Sequence, residues 1–286
     1  GWFTREPKHE IVELGDAPEV VGDIVLPAKG CPCPAVIFAM GVYTQEKDRP
    51  LLLGAADSFA RLGYVAIWPR SKIVDKTEGL MEDPQVFVES FKYLGSRGEV
   101  NPKLISLFGF SVGSSIAMVA AENPDIADKV HSLIWFGGYY SLEDYLTELA
   151  TRKIVVDGQE IPWEPAEGAT SHAEKIMQPL GGSLELFKEA GRLTEEQKQA
   201  LERLSPDVNL NSFKARLFIL HDKNDSYVPW IESQKLKEAV GSKVPVVYHI
   251  ADLFGHVQPK GGKVDWGVVK ELWGMYRFVH KVFSAL

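Results

Sequence analysis

The sequence predicts an α/β protein with an eight-stranded, mostly parallel sheet and helices on both faces. Short apolar runs alternate with segments of helical periodicity along most of the chain. This alternation is typical of strands joined by crossover helices. The 286 residues, 45% of them hydrophobic, suffice for one large core, and no internal repeat interrupts the order.

Eight strands and five helices of the core follow from these patterns. The strands are predicted mainly from short apolar runs, and the helices from the segments between them, of which the last carries apolar residues at helical spacing. The predicted strands are His9–Leu14, Val20–Leu26, Ala35–Met40, Tyr64–Trp68, Leu104–Phe108, Val130–Phe136, Arg216–Leu220 and Val244–Ile250. The predicted helices are Leu51–Leu62, Pro84–Leu94, Ser111–Ala121, Trp230–Val240 and Trp266–Phe283.

Composition excludes several classes of partner. The net charge of −8 and the sequence pI near 5.5 argue against nucleic acid, because phosphate binding needs a basic face. No apolar run reaches the length of a membrane span. Gly1 stands where an initiating Met would, so a removed signal or anchor remains an alternative to the favoured cytoplasmic location.

The two cysteines, Cys31 and Cys33, are separated by one residue. This spacing strains a mutual disulfide, and two further ligands at metal spacing are absent. We therefore expect free thiols in a loop and no metal site.

The pentapeptide Gly109–Gly113, with Ser111 at its centre, joins a predicted buried strand to a predicted helix of small residues. A serine at such a turn is held in a strained backbone conformation, and the two glycines let strand and helix approach closely. The hydroxyl then points outward at the carboxyl edge of the sheet. The pattern predicts that Ser111 is a nucleophile, with an ordinary helix cap as the alternative.

A nucleophilic serine needs a base and an acid that orients the base, in the chain order Ser, Asp or Glu, His. Asp225 follows the seventh predicted strand and is the preferred acid, while Asp222 of the same segment is the alternative. Asp225 in a purely turn-forming role is a second alternative. His256 follows the last predicted strand and is the predicted base.

On these residues the chain resembles the α/β-hydrolases, in particular the branch of dienelactone hydrolases and prolyl-oligopeptidase-like esterases. The acid of that family lies in a pattern like H-G-x-x-D-x-x-V-P, which His221–Pro229 match with Asp222 in the glycine place. The resemblance therefore implies the α/β-hydrolase fold, Asp225 as the acid, and no metal or organic cofactor. The matching stretches are Pro34–Gly41, Leu62–Pro69, Asn101–Ser115, Ser205–Pro206, Leu217–Pro229 and Gly255–His256.

Two positions depart from the family pattern. The family often has His-Gly after its third strand, where a backbone N–H completes the oxyanion hole, whereas this chain has Met40–Tyr43. Because a backbone amide survives a change of side chain, we expect the N–H groups of Val42 and Val112 to form the hole, with the Tyr43 side chain as a less favoured donor. Arg70 stands where relatives commonly carry an acidic residue, and the sequence leaves open whether it faces the pocket.

Residues 141–204, called the insertion below, are too many for an ordinary connection between strands. They interrupt a core formed by residues 1–140 and 205–286, and Thr194–Gln197 predict a capped helix within them. We expect a helical lid over the carboxyl edge of the sheet that controls which esters enter; a decoration packed away from the site is the alternative. The residues expected to line the pocket, rather than the core, are Tyr43, Tyr140, Trp163, Trp230 and Phe254.

Together these features predict a serine hydrolase that cleaves a small or medium carboxylic ester through an acyl-enzyme. An acyltransferase, or a hydrolase of thioesters, lactones or peptides, would use the same triad. A non-catalytic binding protein of this fold is a third alternative, although it would normally lack a triad member.

Overall fold

A computed structural model gives the structure of residues 6–15, 20–41, 49–71, 83–189, 191–252, 254–255, 258–259 and 266–286. The strands are β1 (Lys8–Glu13), β2 (Val20–Leu26), β3 (Cys33–Ala39), β4 (Val65–Ser71), β5 (Val100–Phe110), β6 (Ser132–Phe136), β7 (Lys153–Val156), β8 (Gln159–Pro162), β9 (Arg216–Asp222), β10 (Val246–Ala251), β11 (Phe254–Gly255) and β12 (Gln258–Pro259). The helices are α1 (Arg49–Arg61), α2 (Pro84–Ser96), α3 (Val112–Ala121), α4 (Leu142–Thr151), α5 (Glu167–Met177), α6 (Glu195–Glu202), α7 (Ile231–Val240) and α8 (Trp266–Phe283).

Eight of these strands form one sheet in the order β1-β2-β4-β3-β5-β6-β9-β10. Strand β2 is antiparallel to both β1 and β4, and every other neighbouring pair is parallel. The predicted eight-stranded, mostly parallel sheet is confirmed. The five predicted core helices are also present, and the strand and helix ends differ from the predicted ones by a few residues.

Helices cover both faces of the sheet, and strand β6 shows how the side chains divide between them. Leu133 and Trp135 belong to the main core, which also contains the buried residues of α2, α3 and α7. Ile134 and Phe136 point the other way and pack with Phe278 of α8. Because side chains alternate along a strand, a strand buried on both faces reads as the continuous apolar run seen in the sequence.

The insertion contains helices α4, α5 and α6 and a small antiparallel hairpin, β7–β8. The capping box of α6 is present: the Thr194 hydroxyl accepts the N–H of Gln197, whose side chain accepts the N–H of Thr194. The hairpin was not predicted. Its turn residues Asp157 and Gly158 have φ of 51° and 77°, and an Asp-Gly pair between apolar residues is a known hairpin signal.

The prediction of free thiols at Cys31 and Cys33 is wrong, because the structure joins the two residues in a disulfide. The turn at Pro32 brings their Cα atoms to 4.4 Å, which lies within the range for bridged cysteines. A separation of one residue therefore does not prevent pairing here.

Glu122, at the C-terminal end of α3, gives a prediction about stability and pH. Its side chain is buried, and its carboxylate oxygens have no hydrogen-bond partner among the described residues. Burial, and secondarily the charge of Asp207, raise the pKa of Glu122 to about 9. The folded protein therefore keeps this carboxyl protonated at pH values where the unfolded chain has released the proton, so its contribution to stability falls as the pH rises from about 4.5 towards 9.

We expect Glu122→Gln to raise the free energy of unfolding at pH 8 by at least about 2 kcal/mol, and to have little effect at pH 4.5. Urea unfolding of both proteins at the two pH values measures this. Glu202→Gln, which removes an exposed carboxylate of α6, is the matched control and should change stability by less than about 0.5 kcal/mol. An equal effect of Glu122→Gln at both pH values would contradict the assigned proton.

Candidate active site

Ser111 occupies the turn between β5 and α3 with φ of 54° and ψ of −140°. A residue with a side chain adopts this region only at an energetic cost, and such strain is found mainly at functional sites. A hydrogen bond of 2.7 Å from the Ser111 N–H to the carbonyl oxygen of Phe136 helps to hold the turn. The strained backbone predicted for this serine is therefore observed.

The two flanking glycines are required by close backbone contacts. A Cβ atom on Gly109 would lie 2.3 Å from the Cα of Ser114, and one on Gly113 would lie 2.3 Å from the carbonyl oxygen of Met40. The first contact lets α3 turn back onto β5, and the second lets α3 approach the end of β3. Gly41, directly after Met40, lies against Ser111, since its Cβ would be 3.1 Å from the Cβ of Ser111.

Two serines that the sequence analysis did not single out fix the first turn of α3 to the end of β6 and to the segment after it. The Ser114 hydroxyl donates to the carbonyl of Phe136 and accepts its N–H, both at 3.0 Å. The Ser115 hydroxyl does the same with Tyr139, at 2.7 and 2.9 Å. These bonds orient the N-terminal end of the helix that follows Ser111.

One of the two predicted oxyanion donors, Val112, lies at this end of α3. Val112 is the first residue of the helix, and an N–H in the first turn has no acceptor four residues earlier within the helix. Val42 follows Gly41 but, like Tyr43, lies outside the described residues. The oxyanion hole therefore remains a prediction, with one of its two backbone donors described.

Asp225 lies in the segment between β9 and α7, residues 223–230, which we call the acid loop. Its side chain is buried, and its Oδ1 accepts the N–H groups of Tyr227 at 2.7 Å and Val228 at 3.0 Å. The second oxygen, Oδ2, lies 3.4 Å from Nε2 of the fully buried His221. These contacts fix the carboxylate relative to the loop backbone.

Asp222, the alternative acid, is the last residue of β9 and is also buried. Its Oδ1 accepts the N–H of Asn224 at 2.8 Å, and the side-chain amide of Asn224 donates to Asp252. Asp222 thus closes the turn that begins the acid loop, whereas Asp225 lies within that loop.

Ser111 and Asp225 lie at the same edge of the sheet. Strands β5, β6, β9 and β10 are successive parallel neighbours, so their carboxyl ends lie together. Ser111 follows β5, and Asp225 follows β9. His256, between β11 and β12, lies outside the described residues, and beside it the backbone pairings of Phe254 with Pro259 and of Gly255 with Gln258 are described. The base of the triad therefore stays a prediction.

The insertion lies against both the nucleophile helix and the acid loop. Val112 and Val228 are buried in one apolar cluster with residues of α4, α5 and α6. The indole N–H of Trp163 donates to the carbonyl of Asp225 at 3.1 Å, so this predicted pocket residue contacts the candidate acid directly.

The described contacts of Tyr140 are with the main core and with α7. Its ring packs against the main core, and its N–H donates to Oε2 of Glu232 at 2.8 Å. Burial raises the pKa of its phenol, and the charges of Asp207 and Glu122 raise it further.

Arg70 faces strand β2. Its Nε lies 3.6 Å from Oδ2 of the buried Asp23, and its guanidinium lies 5.8 Å from the centre of the Trp68 ring. Arg49 also pairs with Asp23, at 2.6 and 3.1 Å. Trp230, another predicted pocket residue, is half-buried immediately before α7, and the side chain of Phe254 lies outside the described part of the chain.

Within the described ranges, no group of three or more His, Cys, Asp or Glu side chains is placed to hold a metal ion. No helix in those ranges combines the length and apolar character needed to cross a membrane.

No protein-family model and no curated protein sequence matches the chain. Solved structures do match. The acylaminoacyl peptidase of Pyrococcus horikoshii is 15% identical with a TM-score of 0.63, over 97% of this chain and 42% of its own. Porphyromonas gingivalis dipeptidyl peptidase 4 is 14% identical with a TM-score of 0.62, over 99% of this chain and 36% of its own. A 2,6-dihydroxy-pseudo-oxynicotine hydrolase is 15% identical with a TM-score of 0.57, over 96% of this chain and 69% of its own.

The chain spans about two fifths of the length of the two peptidases. At such low identity these similarities concern the fold. All three proteins are α/β-hydrolase fold members, and the present chain has the mostly parallel eight-stranded sheet with helices on both faces. This protein therefore has the α/β-hydrolase fold.

Proposed function

We propose that the protein is a serine hydrolase that cleaves small or medium carboxylic esters through an acyl-enzyme. The observation that supports this most strongly is the strained Ser111 between β5 and α3, at the edge of the sheet where Asp225 also lies. Strain of this kind is retained where it presents a reactive hydroxyl. The hydrolase activities named for the structural neighbours agree with this reaction class.

In the proposed mechanism His256, oriented by Asp225, takes the proton of Ser111 as the hydroxyl attacks the ester carbonyl. The N–H groups of Val42 and Val112 stabilise the developing oxyanion. His256 then protonates the leaving alcohol and later activates the water that releases the acid. No cofactor takes part.

Peptide hydrolysis is the second candidate. Several structural neighbours are named as peptidases, among them the acylaminoacyl peptidase and dipeptidyl peptidase 4. The same triad cleaves both bonds, but an amide has a poorer leaving group that must be protonated as it departs. The chain covers less than half of these peptidases, so their substrates do not transfer to it directly.

A comparison of substrates tests the proposal. We expect p-nitrophenyl esters of increasing acyl length to be hydrolysed with a kcat/KM whose activation free energy changes by about 1–3 kcal/mol per methylene around the preferred length. Acyl-aminoacyl and dipeptidyl p-nitroanilides should be cleaved at least about 100-fold more slowly. Ser111→Ala is the control for background hydrolysis.

Each alternative has its own outcome in this assay. Faster cleavage of the anilides would replace the esterase by a peptidase. Formation of a new ester in the presence of added alcohol, with little free acid, would indicate an acyltransferase. No turnover of any member of the panel above the Ser111→Ala background would contradict the proposed function.

A further inference from the structure

We infer that Trp163 and Tyr145 of the insertion are positioning residues for Asp225, so that the insertion takes part in the chemistry as well as in substrate entry. The inference rests on the proposed function, because it assigns Asp225 the role of the acid. It goes beyond the expectation that the insertion acts only as a lid.

The insertion holds the acid loop through consecutive backbone carbonyl groups. Each carbonyl of residues 225–228 accepts a hydrogen bond, and three of the four donors belong to the insertion. The donors and acceptors are Trp163 Nε1 to Asp225 O at 3.1 Å, Ala166 N to Ser226 O at 2.7 Å, Tyr145 Oη to Tyr227 O at 2.8 Å, and His221 Nε2 to Val228 O at 3.0 Å.

These bonds bear on the carboxylate because its own contacts use the same stretch of backbone. Oδ1 of Asp225 accepts the N–H groups of Tyr227 and Val228, so a shift of these peptides shifts the carboxylate with them. A misplacement of about 1 Å from a change outside the chemistry can lower turnover about 100-fold. The loss of one of several donors should have a smaller effect.

The donors are themselves fixed. Tyr145 is buried, and its ring stacks on Tyr139 with 5.6 Å between centres and an interplanar angle of 4°. The backbone N–H of Trp163 donates to the carbonyl of Arg152, which ties the end of the hairpin to the end of α4. Lys235 of α7 pairs at 3.0 Å with Glu148 and so attaches α4 to the core.

A positioning role predicts a change that loss of packing or of a substrate contact does not. The acid carboxylate stabilises the protonated form of His256, so a misplaced Asp225 should lower the pKa of that imidazole. In the pH profile of kcat/KM, the acid limb is the part in which kcat/KM falls as the base becomes protonated. This limb should then move to lower pH while kcat falls. Loss of a substrate contact would instead raise KM and leave the limb in place.

The variants Tyr145→Phe and Trp163→Phe remove one donor each and keep an aromatic ring. We expect kcat to fall about tenfold in each, KM to stay within about twofold, and the acid limb to move to lower pH. Tyr139→Phe is the matched control, because it removes a hydroxyl from the stacked partner ring, and that hydroxyl donates to Leu204 at 2.8 Å instead of to the acid loop. Its kcat and acid limb should stay close to those of the wild type.

A double-mutant cycle covers the case in which a variant is destabilised. In an Asp225→Asn background the acid no longer acts, so Trp163→Phe should change kcat by less than about twofold. The inference would be overturned if Trp163→Phe lowered kcat by the same factor in the Asp225→Asn background as in the wild type. It would also be overturned if the acid limb stayed in place in both single variants.

The rate at which a fluorophosphonate labels Ser111 separates this inference from the proposed function. We expect labelling to slow about tenfold in Tyr145→Phe and Trp163→Phe but not in Tyr139→Phe. Equal rates in all four proteins would overturn the positioning role and leave the hydrolase intact. A wild type that is not labelled at Ser111 would overturn both.

Discussion

Ser111→Ala is expected to abolish hydrolysis, with kcat lowered on the order of 10⁵-fold or more, because the covalent intermediate cannot form. The fold should persist, since alanine replaces only a hydroxyl and leaves the glycine contacts of the turn unchanged. Ester turnover, together with urea unfolding, measures the two effects.

The matched control for this variant is Ser96→Ala, which removes an exposed hydroxyl at the end of α2. It should retain the activity and stability of the wild type. Substantial turnover by Ser111→Ala, in a preparation free of other esterases, would contradict the assignment of the nucleophile.

Asp225→Asn is expected to lower kcat by about 10³- to 10⁴-fold, because an amide misorients the base and does not stabilise its cation. The loop should remain folded, since the amide oxygen can still accept the N–H groups of Tyr227 and Val228. Single-turnover and steady-state measurements with one ester give the size of the loss.

The corresponding change at the alternative acid is the internal control. Asp222→Asn keeps an oxygen that can accept the N–H of Asn224, so we expect kcat to fall by less than about tenfold. If Asp222→Asn were the more damaging change, Asp222 would be the acid and the positioning role of the insertion would need a different target.

Elements with strong local patterns could be predicted from the sequence. Apart from β1, whose side chains are mostly exposed, the strands of the main sheet contain short apolar runs with buried or half-buried side chains, and their order along the chain follows the alternation with helices. The turn at Ser111 could be predicted because the close contacts at Gly109 and Gly113 exclude any Cβ atom. That requirement leaves a visible motif.

The features that escaped prediction depend on weak or long-range signals. The strands of the β7–β8 hairpin have four residues each and are largely exposed, so their apolar pattern is faint. Trp163 and Tyr145 meet the acid loop across 62 and 82 residues of sequence, respectively. No local periodicity encodes such contacts.

The backbone of Tyr140 has a contact of the same kind, because Oε2 of Glu232, 92 residues further on, accepts its N–H and the N–H of Ser141. The place of the Tyr140 side chain in the pocket stays a prediction. Cys31 and Cys33 pair because of the path of the backbone around Pro32, which the spacing alone did not reveal.

The most direct test of the central claim is to treat the protein with a fluorophosphonate and locate the adduct by peptide mass spectrometry. We expect a single adduct on the peptide that carries Ser111, formed at a rate that falls sharply in Asp225→Asn, because only a serine activated by a base attacks such a reagent rapidly. An adduct on any other serine, or no adduct at all, would contradict the account.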